Sequence, residues 1–145
     1  MYVLVPASLP STREWQDEIE RLGLDLRLDG SRELTSASGY WPARSAGMDS
    51  GFESYSGSPA DILDADLAAE HAIPNATAVA FVTHSDLIEL RCALFASAAL
   101  ASMTSGTLID GESGDVVNPD ELIEQARAIG APSGMYEEVG PCQGS

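Results

Sequence analysis

The chain has 145 residues, 44% of them apolar, and two cysteines, enough to bury one core without disulfides or a structural metal. Acids dominate the charge: 23 Asp and Glu face seven basic residues, all of them arginine, for a net charge of −16. A field of that sign repels nucleic acid and anionic membranes and draws in basic surfaces. The acids are not gathered in a tail. Residues 1–70 hold 13 acids and five Arg, and residues 71–145 hold ten acids and two Arg, so each half carries −8.

In chain order, Tyr2-Val3-Leu4-Val5 reads as a buried strand and Pro6–Pro10 as a turn. Ser11 and Glu14 have the spacing of a capping box, and Trp15, Ile19 and Leu22 follow on one helical face. Asp17 stands four residues before Arg21, a favourable helical pair, and Gly23 ends the helix. Strict alternation in Leu24-Asp25-Leu26-Arg27-Leu28 predicts a half-buried strand, and Asp29-Gly30 a turn. A short strand is expected over 33–36, another starting near Gly39-Tyr40-Trp41, and a Gly/Ser-rich loop over 44–58 with a short strand at Gly51-Phe52-Glu53.

Ser58-Pro59 opens a helix with Asp61 in its first turn; Ile62, Leu63 and Leu67 face inward, and Asp64, Asp66 and Glu70 outward. The apolar run at Ala76–Thr83 is the clearest central strand. Ser85 or Asp86 caps a Leu/Ala-rich core helix over about 86–103, closed by Gly106. A strand at 107–109, an acidic turn over 110–115 and Val116-Val117 follow. Asn118-Pro119 starts a last helix that packs Leu122, Ile123, Ala126 and Ile129 inward. The expected architecture is α+β: one mixed, mostly antiparallel sheet, with three to four helices packed mainly on one face. Residues 1–130 form a single domain and 131–145 a loosely ordered tail. No uninterrupted apolar run reaches the roughly 18–20 residues that span a bilayer, and the N-terminus lacks the pattern of a signal peptide. The expected compartment is the cytoplasm, with Cys92 and Cys142 as free thiols.

Three constellations invite chemistry. His84-Ser85-Asp86 combines residue types used in nucleophilic catalysis, but neighbours in sequence send their side chains apart, and a helix cap accounts for Ser85 and Asp86. Asp61 and Asp64, three apart on a helix, form a carboxylate pair suited to a cation or to a hydrated face. Asp110–Asp115 has the acids of a calcium loop without its terminal Glu and reads as a tight turn. No nucleotide-binding glycine motif, nucleophile elbow or zinc spacing is present, and the absence of lysine excludes a phosphate-loop lysine and Schiff-base chemistry. These readings point away from an enzyme and from a cofactor. Tyr40, Trp41, Phe52 and Tyr55, with Asp49 and Glu53 beside them, suggest instead an aromatic patch rimmed by acids.

The Leu-Pro-Ser-Thr-Arg-Glu-Trp opening at residues 9–15, Gly51-Phe52-Glu53 and the stretch 93–110 resemble small bacterial proteins similar to the immunity proteins encoded beside secreted antibacterial toxins. The resemblance implies a small cytosolic protein that blocks a cognate toxin or effector by binding it, and carries no catalytic residue with it; the net charge of −16 adds the expectation that this partner is basic. The expected partner-binding residues are Tyr40, Trp41, Asp49, Phe52, Glu53, Tyr55, Asp61 and Asp64, with neither nucleic acid nor membrane as partner. The alternatives are an adaptor or chaperone-like module of a secretion system, or a small enzyme using His84 or Asp61 and Asp64.

Overall fold

The structure, a computed structural model, describes residues 1–71 and 73–129. The expected tail at 131–145, with Cys142, lies outside the described residues. The chain runs β1 (Tyr2–Val5), α1 (Thr12–Arg21), β2 (Arg27–Leu28), a 3-10 turn (Leu34–Ser36), β3 (Ser38–Ser45) and β4 (Met48–Gly57). It continues through α2 (Pro59–Ile62), α3 (Ala65–Glu70), β5 (Thr77–Val82), α4 (Leu87–Thr104), β6 (Thr107–Ile109), β7 (Val116–Val117) and α5 (Pro119–Ala128). The strands form one sheet in the order β2-β3-β4-β5-β1-β6-β7. Every neighbouring pair is antiparallel, so the fold is α+β as expected but the sheet is not mixed.

Local chemistry sets the element ends. The Ser11 hydroxyl accepts from the Glu14 N–H at 3.1 Å and the Glu14 carboxylate from the Ser11 N–H at 2.9 Å, completing the capping box of α1. Arg21 takes Glu18 rather than Asp17, with two bonds of 2.7 Å; the same carboxylate also accepts from Ser102 of α4 at 3.2 Å, which ties the two helices together. The alternation at 24–28 survives in burial, with Leu24, Leu26 and Leu28 inside and Asp25 and Arg27 outside, although pairing reaches only Arg27 and Leu28. At 33–36 a 3-10 turn replaces the expected strand and drops Leu34 into the core.

The Gly/Ser-rich stretch is not a loop. β3 and β4 form an eight-pair hairpin, Ser38↔Tyr55 to Ser45↔Met48, closed by Ala46-Gly47. Both turn residues have positive φ (53° and 72°), as a two-residue type I′ hairpin turn requires. The single helix expected after Ser58 is likewise two. Leu63 leaves the helical conformation (ψ 156°) and turns inward, and Asp64 caps α3 by accepting from the Leu67 N–H at 2.9 Å.

α4 is buried all round from Arg91 to Ala101, lying over the sheet beside α1 and α5. With Glu89 and Arg91 as its charged residues it is long and apolar enough to cross a membrane by length and composition alone, yet here it is the core helix. Four aromatics join α1 to the sheet beneath: Trp15–Trp41 centroids lie 5.3 Å apart edge-on, Phe52–Phe81 5.5 Å and Trp15–Phe81 6.0 Å. Such pairs add about 0.5–1.5 kcal/mol each beyond burial. On the opposite face α2 and α3 place Leu63 and Leu67 against Leu4, Ala78 and Ile109, a smaller second core.

Arg91 fastens the far end of α5. Its guanidinium donates to the carbonyls of Ala126 at 3.2 Å and Ile129 at 2.5 Å, and to the Ser45 hydroxyl at 2.9 Å. It also meets the Asp25 carboxylate at 3.4 Å and lies 4.9 Å from the Phe95 ring centroid. These bonds give α5's terminal carbonyls the partners that a helix end lacks. Next to it, burial pushes the Cys92 thiol up to about 11, so it stays protonated and unreactive at neutral pH.

Candidate partner-binding face

Side chains alternate across the hairpin and sort the predicted patch onto two faces. Trp41 and Phe52 are cross-strand partners on the inner face, 1% and 0% exposed, and the Trp41 indole N–H donates to the Asp29 carbonyl at 3.2 Å. They are core residues that no partner can reach in the folded protein, which corrects their assignment as interface anchors. The other parity points outward: Tyr40, Arg44, Asp49, Glu53 and Tyr55, extended by Val82 of β5.

Register lines up Tyr40, Glu53 and Val82 as one row across β3, β4 and β5. Tyr40 is 47% exposed and Val82 40%, because α2 and α3 cover the sheet nearer β1 and β6. The Tyr40 ring crosses the neighbouring strand at Gly51. A Cβ at Gly51 would lie 2.6 Å from Cζ and Oη of Tyr40 and 2.4 Å from the Trp41 carbonyl oxygen. Glycine is therefore needed there for the close approach of ring and backbone.

A chain of polar side chains runs from Tyr55 of β4 to the start of α4. The Tyr55 hydroxyl donates to Glu53 Oε1 at 2.5 Å, and Glu53 Oε2 lies 3.1 Å from His84 Nε2. The other ring nitrogen, His84 Nδ1, lies 3.3 Å from Glu89 Oε1, which also accepts from the His84 backbone N–H at 2.8 Å. The bond to Glu53 pushes the Tyr55 phenol above its ordinary range. Burial, and then the Glu89 carboxylate, do the same for Tyr40. Asp86 accepts from the N–H groups of Ile88 and Glu89 at 2.8 and 3.0 Å, capping α4. His84 and Asp86 thus serve different partners and do not converge on Ser85. Glu53 and Glu89 sit at opposite nitrogens of the His84 ring, which rules out a common centre for one cation, and no metal-binding group of three such residues occurs among the described residues.

Asp49 pairs with Arg44 at 2.5 Å near the hairpin tip. Asp61 belongs to α2 and Asp64 to the cap of α3, so the helix break removes the shared helical face expected of them; both remain exposed. Sequence reasoning missed Val82 and the link from Glu53 to Glu89. The parity of β5 carried a signal for Val82: Val79 and Phe81 face the core, so Val82 faces out. A concavity of about 330 Å³ lies between α4, α5 and the β6–β7 hairpin, with Leu90, Leu94, Leu122 and Val117 as walls and Asp110 and Glu112 at its edge. The chain matches no protein-family model, no curated protein and no solved structure.

Proposed function

We propose that this chain is a binding protein that neutralises a cognate, basic bacterial toxin or effector by direct contact, in the cytoplasm, through the outer face of β3, β4 and β5. The observation that carries the reading is the row Tyr40–Glu53–Val82: exposed aromatic and aliphatic surface, set on a rigid sheet, in a protein of net charge −16. Tyrosine is a favoured interface anchor, since it offers a large contact area with few rotatable bonds. Carboxylates around it steer a basic partner and speed encounter, while the apolar contact governs how long the complex lasts.

The test is a pull-down with the tagged protein, followed by stopped-flow association with the captured basic domain over a range of salt. Neutralisation predicts a single stoichiometric partner whose activity falls on binding, and an association rate that drops roughly tenfold or more from low to high salt. A partner that binds without losing activity sinks the neutralisation reading, and an association rate indifferent to salt sinks the steering.

A further inference from the structure

We propose that the outer face reads arginine: a guanidinium from the partner stacks on the Tyr40 ring and is held at its edge by Glu53. This deepens the binding role proposed above for that face and rests on it.

The ring is already positioned for such a contact. Its tip lies over the Cα of Gly51, where the missing side chain lets it rest on the strand, and nearly half of the residue remains open to solvent. A cation over a tyrosine face is attracted by the ring's quadrupole, and guanidinium, being planar and weakly hydrated, stacks better than ammonium. Arg44, the cation that β3 and β4 bring to this face, is engaged at the hairpin tip by the Asp49 carboxylate at 2.5 Å and the Gly47 carbonyl at 3.0 Å.

The acceptor is equally prepared. Glu53 is the cross-strand neighbour of Tyr40. One of its oxygens is oriented by the Tyr55 hydroxyl and the other by His84. A carboxylate offers about four acceptor positions, so after these two contacts each oxygen keeps one, the pattern a guanidinium fork matches. Glu89 and Asp86 add negative charge close enough to act on the Tyr40 phenol. An ammonium answers the charge but neither the plane nor the fork.

The deciding experiment titrates the full-length, nitrogen-15-labelled protein with a blocked Gly-Arg-Gly tripeptide, and with the same peptide carrying lysine or citrulline. Arginine is expected to give saturable amide shifts at Tyr40, Gly51 and Glu53, with lysine roughly two- to five-fold weaker and uncharged citrulline not saturating. Tyr40→Phe retains the response, while Tyr40→Leu, which keeps an apolar side chain and removes the ring, loses the preference for arginine. Equal titration by arginine and lysine, an unchanged preference in Tyr40→Leu, shifts confined to the concavity between α4 and α5, or no saturable shift at Tyr40 and Gly51 would each overturn the proposal. The neutralising role is judged separately: a partner captured as well by Tyr40→Leu as by the parent protein defeats arginine reading and leaves neutralisation standing, whereas an arginine site with no neutralised partner does the reverse.

Discussion

Arg91 shows how one side chain can hold two elements. Its guanidinium is nine-tenths buried, and without it the carbonyls of Ala126 and Ile129 and the Ser45 hydroxyl lose their shared donor. Unmet buried acceptors cost about 1–3 kcal/mol, and the lost packing on Phe95 adds to that. Arg91→Ala is therefore expected to lower unfolding stability by about 2–4 kcal/mol in urea titration. Arg91→Lys is expected to recover little, because one ammonium cannot reach Ser45 and the α5 carbonyls together. A lysine variant as stable as the parent would contradict this account. Nothing in the sequence announced the role. An isolated arginine in a Leu/Ala-rich helix looks like any other, and the groups that make it necessary come from residues 25, 45 and 126–129.

At the scale of elements, legibility followed the range of the signal. Caps are local: Ser11, Ser58 and Asn118 were readable from neighbouring residues, and the cap of α4 was narrowed to Ser85 or Asp86, of which Asp86 holds the place. The β3–β4 hairpin was hidden because its glycines and serines have low strand propensity, and what stabilises it is distant: Trp41 and Phe52 packing with Trp15 and Phe81. The same burial took two aromatics out of the candidate site and left Tyr40 and Tyr55 on its surface. The hairpin turn has a correctable flaw, since Ala46 holds a φ of 53° that disfavours a Cβ. Ala46→Asn, which gives the Asn-Gly pair preferred in this turn, is expected to raise stability by about 0.5–1 kcal/mol. Chemical denaturation measures it, and a loss of stability would mean that Ala46 makes contacts the turn geometry does not reveal.

For the whole molecule, charge sets the conditions of stability. Most of the ion pairs lie at the surface, Arg21–Glu18, Arg27–Glu20 and Arg44–Asp49 among them, where such pairs contribute little. The net −16 acts throughout the fold as self-repulsion. Salt screens both, and the repulsion is the larger, so raising NaCl from low to moderate concentration is expected to raise Tm by about 3–5 °C. A falling Tm in calorimetry would show that the pairs outweigh the repulsion. The α+β class and most helices were visible in the pattern of apolar residues, but the strand order was not, because register and neighbours are properties of pairs far apart in the chain.

That order also dictates a timetable for the growing polypeptide. β1 is made first and sits between β5 and β6, with Val3 opposite Val79 on one side and Leu108 on the other. While a ribosome adds roughly 5–20 residues per second, this first strand waits several seconds with both edges unsatisfied. The β3–β4 hairpin has its own turn and closes in the meantime. β1 gains its first neighbour when residues 77–82 emerge and its second only with residues 107–109, so a nascent chain stalled between them carries β1 as an open edge strand and needs a chaperone to cover it.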